Sequence, residues 1–183
     1  MIPFYKYQGT GNDFVMVDNR EKVMDRKNLD LIQKMCSRRF GIGSDGLILI
    51  ENHSDFDFEM VYFNSDGSQS FCGNGARCAV RFASDLEMFK NECSFLAIDG
   101  SHEAKLSSKE VSIKMGDVNE VKRHDDHSFE LYTGSPHFIH FVEKLTDVDI
   151  FECGKKIRYS EKYSKKGINV NAVEVQNQKI SML

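Results

Sequence analysis

The 183 residues include 24 basic and 28 acidic side chains for a net charge of −4, with 40% hydrophobic and 28% charged residues, ordinary material for one domain or two small ones. No basic block favours nucleic acid as a partner, and no stretch is apolar for long enough to be a signal peptide or a membrane span, so a cytoplasmic protein is expected. Five cysteines at unpatterned spacings, with no Cys-x-x-Cys and no paired histidines at ligand spacing, fit free thiols in a reducing compartment better than disulfides or a zinc site.

Taken in order, the chain reads mostly as strands. Phe4–Tyr7 and Phe14–Val17 flank Gly9–Asp13 and predict a hairpin with a long glycine-rich turn, Asn12 at its tip. Leu29, Ile32, Met35 and Cys36 fall at helical spacing between about Asn28 and Arg38, with Arg38 and Arg39 closing the last turn. Gly41, Gly43 and Gly46 loop into a strand at Leu47–Ile50, and the strand Glu59–Phe63 runs into the Asn64–Ser68 turn. Beyond the next helix come Cys93–Ile98, His102–Leu106 and Val111–Met115, the first two joined at Asp99-Gly100-Ser101. Gly116 ends this block. Asp117–Ser128 is charged and reads as a crossing segment between a first block, 1–116, and a second, 117–183. The second block has strands at Phe129–Tyr132 and Phe138–Val142 around a Gly134–His137 turn, a surface helix around Asp147–Lys156, and a final hairpin of Ile168–Val175 with Lys179–Met182.

The stretch that organises the rest is Phe71-Cys72-Gly73-Asn74-Gly75-Ala76-Arg77-Cys78, leading into an apolar segment predicted to be a helix over Ala76–Phe89. Apolar residues cover most of that helix's circumference, and only Arg77, Arg81 and Asp85, four apart, make a polar stripe, so the helix is expected to be packed on nearly every side. Cys72 then stands at its N-terminal end, where unpaired N–H groups and the helix dipole favour a thiolate and can bind a carboxylate. The alternative is a buried small hydrophobe before a turn. Cys78 lies more than one and a half turns further on and is expected to point into the packing. Cys36, Cys93 and Cys153 sit among apolar neighbours with no electropositive niche.

Gly9-Thr10-Gly11-Asn12-Asp13-Phe14, Phe63-Asn64-Ser65-Asp66-Gly67-Ser68 and Cys72-Gly73-Asn74-Gly75-Ala76-Arg77-Cys78 resemble, in order and spacing, the three signature segments of the amino-terminal half of the diaminopimelate epimerase family. The resemblance continues through Gly134-Ser135-Pro136-His137 and Ile168-Asn169-Val170, and ends before the family's second signature, which holds a glutamate-arginine pair and a second catalytic cysteine. It implies a mixed α/β (α+β) fold, strands wrapped around a central helix, with an incomplete second half-domain. It also implies inversion at the α-carbon of LL-diaminopimelate to the meso form, for lysine and cell-wall precursors, with no cofactor and no metal.

Such inversion needs a base on one face of the α-carbon, an acid on the other, and donors for the carboxylate where charge develops. The resemblance makes Cys72 one of the two thiols and the N–H groups of Gly73 and Asn74 the carboxylate donors. Asn12, Asn64 and Asn169 match substrate-contacting positions, each with a turn-bonding role as its alternative. His137 matches a histidine that tunes the cysteine pair. Two positions depart from the family: Ser135 replaces an asparagine, and Gly46 stands where some members carry a substrate-contacting glutamine. The expected partner is a small amino acid, with self-association or a homodimer besides and neither nucleic acid nor membrane. Because the second thiol is missing, the 183-residue chain is expected to be truncated and inactive alone. Another cofactor-independent racemase of this fold, and a non-catalytic remnant that binds a small acid or a partner, stay open.

Overall fold

Phe14, Val15, Met16 and Val17 are all fully buried, which a strand achieves only if both of its faces are covered. In the computed structural model, which describes residues 1–108 and 110–183, that is what the chain does. Strands β1 (Tyr5–Gly9), β2 (Asn12–Asp18), β3 (Gly46–Glu51), β4 (Phe58–Asn64), β5 (Glu92–Ala97), β6 (Gly100–Leu106) and β7 (Val111–Ile113) form, among the described residues, a seven-stranded sheet in sequence order. Helix α1 (Leu29–Cys36) and helix α2 (Gly73–Asp85) lie within the crossovers of its two parallel pairs, β2 with β3 and β4 with β5. Strand alternation then sorts the core: Val15, Val17, Leu47, Leu49, Val61 and Phe63 pack with Ile32 and Met35 of α1. Phe14, Met16, Ile48, Ile50, Met60 and Tyr62 pack with Ala76, Ala79, Phe82 and Ala83 of α2. Helix α2 touches both edge strands, β1 and β7, as well as strands between them. A sheet whose two edges meet one helix is curled around it, so α2 is the axis of this unit.

Two local expectations are corrected. The Gly9–Asp13 segment is not a long loop: Gly9 pairs with Asn12, and only Thr10 and Gly11 turn, both at positive φ (55° and 86°), the geometry of a two-residue hairpin whose twist matches its strands. Asn12 therefore stands on β2, held by the ladder. The central helix spans Gly73–Asp85, not Ala76–Phe89. It starts early because Cys72 is the N-cap, its sulfur accepting from the Gly75 N–H at 3.4 Å. It stops early because Glu87 turns left-handed (φ 60°), with Glu87 N–H donating to Ser84 O and Met88 N–H to Ala83 O. That is the Schellman closure, and it is hard to foresee because it most often uses glycine. Met88 and Phe89 still pack on the core, which is why the apolar pattern runs past the helix end. Glu87→Gly is expected to stabilise the fold by about 0.5–1 kcal/mol by relieving the left-handed residue; a lowered urea midpoint would contradict this.

The chain divides into compact units Met1–Met115 and Gly116–Leu183. In the second, β8 (Val121–Arg123), β9 (Ser128–Tyr132), β10 (Pro136–Val142), β11 (Asn169–Gln176) and β12 (Lys179–Met182) form, among the described residues, a five-stranded sheet in the order β12-β11-β10-β9-β8. The segment 117–128, expected only to cross, contributes β8. Helix α3 (Ile150–Arg158) begins and ends slightly later than the charge pattern predicts, because Asp149 caps it by accepting from the Phe151 and Glu152 N–H groups. Its Gly154 lies over Val170 on one face of the sheet. On the same face Glu130 accepts from Lys162 Nζ at 2.7 Å and Tyr163 OH at 2.6 Å, and these partners hold its carboxyl down at about 2. On the opposite face, Val175, Ile180 and Met182 are exposed, paired across β11 and β12 as Val175 with Ile180 and Val173 with Met182.

Candidate active site

The start of α2 brings four of the expected residues together, Cys72, Asn12, Gly73 and Asn74. Cys72 Sγ is 3.6 Å from Asn12 Oδ1. The first helical i→i−4 bond is Ala76 N–H to Cys72 O, so the N–H groups of Gly73 and Asn74 precede the ladder and are free of it. The hairpin approaches closely: a Cβ on Gly9 would lie 3.5 Å from Asn74 O and 3.7 Å from Cys78 Sγ. Gly75 lets the helix start sit on the sheet, since a Cβ there would come within 3.2 Å of Ile48 Cδ1 and 3.5 Å of Met60 Cε. Arg77 folds back to donate to Gly73 O at 3.0 Å.

Burial works against the thiolate expected at this helix end. Burial pushes the Cys72 thiol above its ordinary value, outweighing the N–H groups of Gly75 and Asn74 and the Arg77 charge, which act the other way. The dipole is present, but removing a charged sulfur from water costs more than one turn of helix returns. The other thiols differ in setting. Cys78 and Cys93 are buried, with burial pushing them to about 11 and about 12. Cys36 is also raised by burial. Cys153 lies inside α3, its own N–H spent on Asp149 O.

Asn64 ends β4, opposite Gly46. Its Oδ1 accepts from Tyr62 OH at 2.8 Å, and its Nδ2 donates to Ser68 Oγ at 3.0 Å and Ser70 Oγ at 3.3 Å. Both N–H bonds are therefore used in holding the turn, and one oxygen lone pair remains for a ligand. Tyr62, which the sequence does not single out, holds Asn64; burial raises its phenol, with the Cys72 charge a smaller contribution.

A second group absent from the sequence reading supports Asn12. Arg38, expected to close α1, lies beyond its end and donates to Asp13 Oδ1 at 2.8 Å and Asp45 Oδ1 at 2.7 Å. Lys6 donates to Asp13 Oδ2 at 2.7 Å and Gly43 O at 2.6 Å. Asp45 Oδ2 accepts from Asn12 Nδ2 at 2.8 Å and from the Asp13 N–H at 3.1 Å. Arg38 and Lys6 hold the Asp13 carboxyl well below the usual carboxylate range. No spacing in the sequence marks Asp13, Arg38 and Asp45 as neighbours; only the fold brings them to one corner.

In the second unit, His137 on β10 pairs with Asn169 on β11. Ser135 Oγ lies 3.1 Å from His137 Nε2 and 3.3 Å from Asn169 Nδ2. Asn171 Nδ2, unremarked in the sequence, is 3.2 Å from His137 Nδ1. An amide nitrogen only donates, so Nδ1 accepts and the neutral ring carries its proton on Nε2, toward Ser135. Burial pushes the His137 ring below its ordinary value, so any influence it exerts is by hydrogen bonding and not by charge. Among the described residues, no group of three or more His, Cys, Asp or Glu side chains is placed to hold a metal ion, and no helix is long and apolar enough to cross a membrane.

Comparison with known proteins bears on these groups. The fold resembles a Bacillus anthracis phenazine biosynthesis protein of the PhzF family (TM-score 0.66, 15% identity, 99% of this chain and 69% of that one). It also resembles a hydroxyproline epimerase from Agrobacterium vitis (TM-score 0.61, 10% identity, 98% and 67%). Both likenesses establish the mixed α+β fold. The sequence goes further. The chain is 53% identical over 174 residues to the diaminopimelate epimerase of Flavobacterium psychrophilum, covering 94% of this chain and 68% of that protein. It is 35% identical over 192 residues to that of Aquifex aeolicus, covering 94% and 69%. The family model for diaminopimelate epimerase matches residues 4–121, the span that holds Asn12, Asn64 and the Cys72 helix start, and with these relatives it shows that the chain belongs to the diaminopimelate epimerase family of isomerases.

Proposed function

We propose that Cys72 is a proton-transferring thiol of the epimerase reaction on diaminopimelate, with the Gly73 and Asn74 N–H groups binding the α-carboxylate and Asn12 and Asn64 contacting the substrate. The observation that supports this best is the placing of one sulfur at the start of a buried helix, against an asparagine oxygen and beside N–H groups outside the helical ladder. As thiolate, Cys72 takes the α-proton: the C–H bond breaks, an S–H bond forms, and the electron pair passes into the α-carbon and its carboxylate, where the N–H groups meet the growing charge. No cofactor takes part in this scheme. In the second unit, Asn169 and Ser135 are proposed substrate contacts and His137 a tuning group, acting as a neutral hydrogen-bonding ring. A cytoplasmic location and self-association through the exposed Val175–Ile180–Met182 face belong to the same reading; a concentration-independent monomer in sedimentation would remove the latter.

The test is incubation of each stereoisomer of diaminopimelate with the 183-residue chain in deuterium oxide, following α-deuterium and configuration separately. Uptake of deuterium by one stereoisomer supports the reading. No uptake by any stereoisomer, from a chain that gives a cooperative thermal transition, counts against it.

A further inference from the structure

The side chain of Asn12 faces two groups of opposite demand. Toward Asp45 it meets a carboxylate, which in its ionised form only accepts hydrogen bonds. Toward Cys72 it meets a sulfur that donates as a thiol and accepts as a thiolate. An amide has one accepting and one donating end, so whichever end Asp45 takes determines what Cys72 meets. Asp45 takes the donating end: Asn12 Nδ2 to Asp45 Oδ2 is 2.8 Å, and Oδ1 is left 3.6 Å from Cys72 Sγ. Asp45 is itself held from three sides. Its Oδ1 accepts from Arg38 at 2.7 Å, its Oδ2 from the Asp13 N–H at 3.1 Å, and its own N–H donates to Asp13 O at 3.0 Å. Arg38 is in turn tied to Asp13 at 2.8 Å.

We propose that Asp45, clamped by Arg38, is a positioning residue that locks the Asn12 amide with its oxygen toward Cys72, so that the free protein holds this sulfur as a thiol. A reversed amide would place two acceptors, Oδ1 of Asn12 and Oδ2 of Asp45, against each other, and would offer N–H to the sulfur. The lock therefore selects the protonation state of Cys72 through a neutral side chain, a route distinct from the direct field of the Asp45 charge. Burial of Cys72 and the Asp45 charge act in the same direction, and the N–H groups of Gly75 and Asn74 and the Arg77 charge act against it; the lock is separable from all of these because it alone runs through Asn12. The catalytic meaning of the lock rests on the reading of Cys72 as the reacting thiol; the lock itself does not.

The experiment is the pH dependence of Cys72 alkylation by iodoacetamide, read by mass spectrometry of the Cys72 peptide, in the wild-type chain, Asp45→Asn, Asn12→Ala and the double variant. Asp45→Asn is nearly isosteric, and it frees the amide to turn and donate to sulfur. Its alkylation midpoint is expected to fall by about half a unit or more, about threefold in thiolate fraction below the midpoint. In the Asn12→Ala background the same substitution is expected to move the midpoint by less than half of that shift. An equal shift in both backgrounds would mean a through-space charge effect and would overturn the proposal, as would no shift in Asp45→Asn. Should Asp45→Asn lack a cooperative melt, Asn12→Leu decides: it keeps the sulfur covered while removing its acceptor, so the midpoint falls, and an unchanged midpoint overturns the lock. Because the readout is alkylation of the free protein, the lock stands or falls independently of whether Cys72 exchanges a substrate proton.

Discussion

Cys72→Ala is expected to lower α-deuterium uptake into diaminopimelate on the order of a thousandfold, the usual contribution of a positioned general base, with only a modest loss of thermal stability. Cys72 packs on the edge of the core and caps α2 through a weak contact, 3.4 Å to Gly75 N, so its loss removes chemistry at a stability cost of about 1 kcal/mol. Cys78→Ala is the contrast. That thiol is buried in the α2 core, where it is pushed up to about 11, and its removal is expected to cost about 1 kcal/mol of stability while leaving exchange in place. The wild-type rate should rise with pH. The accepting form is the thiolate, and a thiol raised by burial is mostly protonated at neutral pH, so each step upward toward its midpoint adds thiolate. Exchange is expected without inversion. Among the described residues of this chain, Cys36 closes α1, Cys78 lies within α2, Cys93 lies on β5 and Cys153 lies inside α3. None repeats the helix-start setting of Cys72. Deuterium uptake unaffected by Cys72→Ala would end the assignment, and efficient inversion by the 183-residue chain would show that another of its residues serves as the opposite acid.

The second large effect is expected at Gly46. Some family members carry a substrate-contacting glutamine here, yet in this chain a Cβ at Gly46 would stand 2.4 Å from Tyr62 Cε2 and 2.5 Å from Phe63 O. One obstacle is a buried ring and the other is backbone of the neighbouring strand, so neither yields cheaply. Gly46→Gln is expected to destabilise the fold by about 3 kcal/mol, the upper part of the range for overpacking, measured by urea denaturation. The damage is also directional. Tyr62 is the residue that donates to Asn64 Oδ1, so a displaced ring releases the Asn64 amide and weakens substrate binding beyond the loss of stability. Tyr62→Leu in the same chain should recover part of the stability and none of the binding. A stable Gly46→Gln variant that binds substrate more tightly would show that the ring moves aside freely and that glycine here is neutral.

The sequence by itself determined the elements whose signals are local. The continuous apolar runs Phe14–Val17 and Leu47–Ile50, helical spacing from Leu29 to Cys36, and the apolar girth of the α2 segment each reflect burial that neighbouring residues share, so a one-dimensional pattern records it. The motif segments placed Asn12, Asn64 and Cys72 in a known family for the same reason: each is a short, continuous run. What tertiary structure alone decided was whatever depends on residues far apart in the chain. The burial of Cys72 is one case, because the helix dipole is local and legible while the burial that opposes a thiolate comes from the curled sheet. The end of α2 is another, since a left-handed glutamate closes a helix that no glycine marks. The corner of Lys6, Asp13, Arg38 and Asp45 is a third: its members are scattered over some forty positions, and only the parallel pairing of β2 with β3, with α1 between them, brings Asp45 to Asn12 and so sets which end of an amide meets the sulfur.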